Sequence, residues 1–236
     1  MRTRLVIITG SAPGAGKSTL MRTLAAGLRG LGDSVIEVGE DAVWGERQLG
    51  TLPVDYATAW PEFRALLHER PSGGSPTVTE VFDAFVRVQR RAAASRVWIQ
   101  DWSWIDLAGM LPWARADDEA LLAFSCDLQR VARSLWPLVL HLRIDPQDSL
   151  RRAVAERGWV WFDRHAGASS DDLGREERLQ ALTGSYRERE RRRPHVLEAG
   201  GWDVVVIDAQ AGCAAVLGRA LETVGGACTC VPACRQ

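Results

Sequence analysis

Short apolar runs alternate with longer stretches of helical spacing along this chain. The first run, Arg4–Thr9 (RLVIIT), has the length and β-branched content of a buried strand. From Lys17 to about Leu31 the apolar residues Leu20, Leu24 and Leu28 recur at helical spacing, and Gly30 and Gly32 end the helix. Ser34–Val38 (SVIEV) reads as the second strand. Helix is expected within Asp55–Arg70, where Pro61 is a break or a first helical residue, and Pro71–Pro76 as a loop. Thr77 with Glu80 is a capping-box pair, and Val78, Val81, Phe82, Phe85 and Val88 give the helix after it one apolar face. Arg96–Asp101 (RVWIQD) is the third expected strand, Asp117–Leu135 a helix, and Pro137 opens a fourth strand, PLVLHLRI. Asp145–Pro146 starts a helix and Gly158 is expected to stop it. The polar and aromatic stretch Gly158–Gly174 reads as a loop, Glu176–Arg193 as a charged helix, Trp202–Ile207 as the fifth strand and Ala211–Val224 as the last helix. Strands alternating with crossover helices predict an α/β fold with a parallel sheet.

Length and composition narrow this further. A chain of 236 residues with 46% hydrophobic content suits one sizeable domain. It is read as residues 1–224, with 225–236 as a flexible cysteine-containing tail. With 29 basic and 30 acidic side chains the net charge is −1, so no basic field argues for nucleic acid as a partner. No apolar run approaches the ~18–20 residues that span a bilayer, and the N-terminus lacks a signal-peptide pattern. No membrane association and a cytoplasmic location are therefore expected, and a homodimer is compatible with the sequence. Cys126 and Cys213 read as isolated, buried thiols. Cys228, Cys230 and Cys234 lack the paired spacing of a zinc site and read as part of a frayed tail. The Arg187–Arg193 run (RERERRR) reads as a solvated helix face.

Basic charge is almost all arginine, which fits a GC-rich coding bias. Against that bias the single lysine, Lys17, carries information. It lies in GSAPGAGKST, between the first strand and the first helix. That context matches the phosphate-binding pattern G-x-x-x-x-G-K-[ST], with Ser11 in the first position and Gly10 one residue earlier. Gly14 and Gly16 allow backbone N–H groups to approach an anion, and the helix N-terminus favours negative charge. Ser11, Ala12, Pro13, Gly14, Ala15, Gly16, Lys17, Ser18 and Thr19 are thus the expected nucleotide-binding residues. Lys17 would reach the β- and γ-phosphates of ATP, and Ser18 would ligate Mg²⁺.

Three later segments carry a resemblance: VIEVGEDAVW, VWIQDWSW and LVLHLRIDPQDSLRRAVAERG. With the phosphate loop they resemble the thymidylate kinase and deoxynucleoside kinase group of P-loop kinases, from Arg4 to about Val224. That resemblance implies a five-stranded parallel sheet with helices on both faces and a mobile lid, here at about 151–174. It also implies a base after the second strand, at Glu40, followed by Trp44, although Asp41 stands where the family has proline and the spacing is one residue shorter. Glu37 and Asp41 are the fallbacks. Asp101 keeps a carboxylate that would orient Mg²⁺, while Trp102 stands where the family carries an arginine. Arg152 and Arg157 are matched to the lid arginines, one residue out of the family spacing, with Arg151 and Arg164 as further candidates. Trp44, Trp102 and Trp104 fall where a planar acceptor would stack; Phe82, Phe85 and Gln89 lie at helical spacing before the third strand as further acceptor-binding candidates, and the resemblance implies that Gln89 reads the base edge.

The leading expectation is a kinase that transfers the γ-phosphoryl group of ATP to a hydroxyl of a nucleoside or nucleoside-like compound, an antibiotic or its precursor included. Lys17, Glu40, Asp101, Arg152 and Arg157 would be its catalytic residues. A nucleoside monophosphate kinase and a non-enzymatic nucleotide-binding regulator are the alternatives.

Overall fold

The computed structural model describes residues 4–10, 12–39, 97–101, 118–166 and 173–229. In chain order these form β1 (Arg4–Gly10), α1 (Lys17–Gly30), β2 (Val35–Val38), β3 (Val97–Gln100) and α2 (Asp118–Ala132). A 3₁₀ turn (Arg133–Leu135) then leads to β4 (Leu138–Arg143), α3 (Pro146–Ala166), α4 (Arg175–Ala199), β5 (Asp203–Asp208) and α5 (Cys213–Thr229). The five strands make one sheet in the order β2-β3-β1-β4-β5, every pair parallel. The α/β class and the five-stranded parallel sheet expected from the sequence are therefore present.

The strands are apolar on both sides because helices cover both faces. On one face Val6, Ile8, Val97, Ile99, Leu138 and Leu140 pack against Leu20, Leu24 and Leu28 of α1 and Val216, Ala220 and Val224 of α5. Strand alternation sends Leu5, Ile7, Trp98 and Val139 to the other face, and all four are fully buried. α4 packs against both α2 and α3. β1 sits at the centre of the sheet, so its C-terminal end is held between β3 and β4.

Three expectations need correction. Gly158 does break the helix, with φ 79° and ψ 167°, but the chain does not become a loop there. It resumes helical geometry through Ala166, because Phe162 inserts into a buried cluster with Ala12, Leu150, Leu179 and Tyr186. Second, α4 does not end at Arg193. It continues through Pro194 to Ala199, held beyond the proline by the fully buried Leu197. Third, Cys126 and Cys213 are exposed rather than buried. Smaller shifts occur at other ends: β5 begins at Asp203 and α5 runs to Thr229, past the point where the tail was expected to start. Among the described residues no helix is long and apolar enough to cross a membrane.

Candidate functional site

β1 runs into a tight turn that delivers the chain to α1. Ala12 and Ala15 of this turn are buried. Gly14 and Gly16 have φ of 85° and 92°, a left-handed region that costs residues with a Cβ. The two differ in surroundings. A Cβ on Gly14 would lie 2.1 Å from the carbonyl oxygen of Ser149, so the turn lies directly against α3. A Cβ on Gly16 would meet nothing within 4 Å. Gly16 is the N-cap of α1 and offers no side-chain cap, and no acidic residue occupies the first turn. The N-terminal N–H groups of α1 and its positive dipole end thus have no capping anion from their own helix. Lys17 is half-buried at the first helical position, and Ser18 and Thr19 are exposed beside it.

Side chains from α3, β4 and α4 fix this turn in place. Ser149 Oγ donates to the Pro13 carbonyl at 2.8 Å. Arg193, itself buried, donates to the Gly10 carbonyl at 3.0 Å. One residue earlier, Thr9 Oγ1 lies 2.9 Å from Nδ1 of the fully buried His141, whose Nε2 donates to Glu190 at 2.8 Å. The last two residues of β1 are therefore tied to α4 by two side-chain routes. Asp145 caps α3 by accepting the Gln147 N–H at 2.8 Å and pairs with Arg187 at 3.3 Å. Burial pushes its carboxyl up, but these partners outweigh burial and hold it below the usual carboxylate range.

The second segment of α3, with α4, builds a cationic and aromatic wall beside the turn. Trp161 stacks on His165 at 4.9 Å between ring centroids, and Arg157 lies 5.1 Å over the Trp161 ring. Tyr186 Oη is 2.8 Å from His165 Nε2, and Arg189 lies 5.2 Å over the Tyr186 ring. Desolvation between these rings lowers the His165 pKa below its ordinary value, helped by the charges of Arg157, Arg189 and Lys17. Those three cations therefore act on one place. The wall is braced from outside, where Asp163 accepts from Arg175 at 3.0 Å and from Arg178 at 2.6 Å. The hydrogen bond from Arg175 leads in keeping the Asp163 carboxyl ionised to lower pH than usual, and with the Arg175 and Arg178 charges it outweighs the opposing effect of desolvation.

Of the residues expected from the sequence, Ala12–Thr19 form the turn and first helical residues, and Arg157 lies in the wall. Asp101 is buried at the end of β3, next to β1, with its N–H bonded to Val38 O at 3.2 Å. Arg151, Arg152 and Arg164 are exposed on α3 without an ion pair among the described residues. Ser11, Glu40, Asp41, Trp44, Phe82, Phe85, Gln89, Trp102 and Trp104 lie outside the described residues. The fallback Glu37 does not fit a base at the turn. Its carboxylate pairs with Arg29 at 2.5 Å. Arg29 is twelve residues beyond Lys17, about 18 Å along α1 at 1.5 Å per residue.

His165, Tyr186, Arg189 and Arg193 were not singled out from the sequence as site residues. The Arg187–Arg193 run is not simply a solvated face, because Arg193 is buried against β1 and Arg189 covers Tyr186. A signal did exist: Leu179, Thr183, Tyr186, Arg193 and Leu197 fall on one helical stripe, and all are buried. No group of three or more metal-ligating side chains occurs among the described residues. No protein-family model matches the chain, and no curated protein matches it.

Proposed function

We propose that the protein is an ATP-dependent phosphotransferase, a kinase of the P-loop type, acting on a hydroxyl of a nucleoside-like compound. The observation that carries this reading is the convergence at the start of α1. There an uncapped helix N-terminus, opened by the positive-φ Gly16, carries Lys17, and its charge acts on His165 together with those of Arg157 over Trp161 and Arg189 over Tyr186, the two rings that contact His165. Backbone N–H groups and several cations at one place favour a polyanion. In this reading Lys17 and the N–H groups of the turn hold the β- and γ-phosphates. Arg157 and Arg189 approach the transferring group from the α3–α4 side, where charge develops in the transition state. The second segment of α3 then serves as the lid, a helical one rather than a loop.

Ser18 and Asp101 would hold Mg²⁺. Two protein oxygens suffice for a magnesium ion that keeps waters and phosphate oxygens as its other ligands, so a set of only two fits. The ion supplies charge neutralisation on the phosphates when bound. Glu40 is the proposed base for the acceptor hydroxyl, whose proton must leave as the new O–P bond forms. Trp44, Trp102 and Trp104 are proposed as stacking surfaces for the acceptor, with Phe82, Phe85 and Gln89 beside them.

The test is ADP release from ATP and Mg²⁺, measured against a panel of nucleosides, nucleoside antibiotics and nucleoside monophosphates. Stimulation by a neutral hydroxyl compound is the expected result. A monophosphate as best acceptor would overturn the hydroxyl assignment, and ATP binding with no acceptor stimulation at all would overturn the enzyme reading.

A further inference from the structure

The wall beside the turn contains an ionisable group that phosphate binding alone does not require. His165 is stacked on Trp161 and linked through Nε2 to Tyr186 Oη, and Tyr186 belongs to the buried cluster that includes Ala12 of the turn. Arg157 on α3 lies over the Trp161 ring and Arg189 on α4 over the Tyr186 ring, and with Lys17 on α1 these are the charges that act on His165 among the described residues. All three are cations, and none forms an ion pair with a carboxylate among the described residues. The Nδ1 atom of His165 has no hydrogen-bond partner among the described residues.

We propose that His165 is a phosphate-coupled proton site, taking a proton from solvent when a triphosphate binds among Lys17, Arg157 and Arg189. The inference rests on the reading of the turn as a triphosphate site. Charge balance drives the proton uptake. Three cations acting on a ring oppose a fourth positive charge, while a bound triphosphate of several negative charges more than cancels them. Protonated, the imidazole donates from both nitrogens, so Nδ1–H becomes a further donor for a phosphate oxygen. The ring would then respond to the charge of the bound nucleotide, holding its proton with the triphosphate and loosening it as negative charge leaves the site.

Linkage gives the sign. The ring's pKa is higher in the complex than in the free protein, so binding strengthens as pH falls through the pKa of the complex. The gain is complete below the pKa of the free protein. Each unit of difference corresponds to about tenfold in affinity.

The experiment is calorimetric titration of the full chain with inorganic tripolyphosphate and with ATP and Mg²⁺. It is run near neutral pH in buffers of different ionisation enthalpy, so that the buffer dependence of the heat counts protons. The wild-type protein should take up a substantial fraction of one proton more than His165→Gln does, with binding retained in the variant. A second variant, Arg189→Gln, should raise the pKa of the free ring, followed by its NMR signal, because one opposing cation is gone. Equal proton uptake by wild type and His165→Gln, or an unchanged ring pKa on adding tripolyphosphate, would overturn the proposal while leaving the phosphotransferase reading intact. No binding of either compound would overturn both.

Discussion

Gly14 and Gly16 are two residues apart, both have positive φ, and they have different reasons to be glycine. Gly14 leaves room for α3, whereas Gly16 leaves open space in front of α1. Gly14→Ala would drive a Cβ into the Ser149 carbonyl, so a loss of about 3 kcal/mol or more in unfolding free energy is expected. Gly16→Ala carries only the left-handed backbone penalty, about 1–2 kcal/mol, and should fold. Denaturant unfolding of the two variants checks this, and equal losses would contradict the contact between the turn and α3. His165 gives the pH counterpart. Its pKa is lowered in the folded protein, so it is neutral in both states above its ordinary value of 6.5. As pH falls below that value the unfolded chain binds the proton first, and stability declines through the folded-state pKa. The unfolding temperature of wild type should therefore fall more steeply between pH 7 and pH 5 than that of His165→Gln, and parallel curves would show that the ring is not strained toward neutrality. The sequence pointed to the glycines and Lys17 through their spacing, the strand and helix on either side, and the lysine's being the single one in the chain. It did not point to His165, because a histidine in a polar stretch has no distinguishing pattern until α4 is placed beside it.

Among the elements, α3 differs most from its sequence reading. Its first segment was legible from Asp145–Pro146 and the helical pattern that follows. The second was hidden by Gly158, which ends one helical direction and starts another. Trp159, Phe162 and Ala166 in fact lie at helical spacing, but what makes the segment hold is a tertiary contact. Phe162 is fully buried among Ala12, Leu150, Leu179 and Tyr186. Phe162→Ala should cost about 3–5 kcal/mol if this contact is as well packed as it is buried. Hydrogen exchange should then show residues 159–166 losing protection before the sheet does. A loss under about 1 kcal/mol with unchanged protection would contradict the packing. α4 was obscured for a related reason. Its buried stripe includes Thr183 and Arg193, so hydrophobicity alone does not reveal it. Arg193 is buried because it has a carbonyl to bond, at the end of the strand that leads into the turn.

At the scale of the molecule, the strand order places β1 at the centre and brings the ends of β3 and β4 to its sides. This arrangement was legible in outline, since apolar runs separated by helical patterns leave few ways to build a parallel sheet. Strand order itself was not, because it depends on long-range pairing that local pattern does not encode. The consequence is that Asp101, Lys17 and the α3–α4 wall, which come from distant parts of the chain, all border the exit from β1. If that exit holds the phosphates of ATP, removing the one lysine removes a charge that the backbone cannot replace. The most direct measurement is the turnover of Lys17→Ala in acceptor-dependent ADP release, beside its thermal unfolding curve. Turnover is predicted to fall on the order of 10²-fold or more while the unfolding temperature stays close to wild type. Near-normal turnover in a folded Lys17→Ala protein would contradict the account.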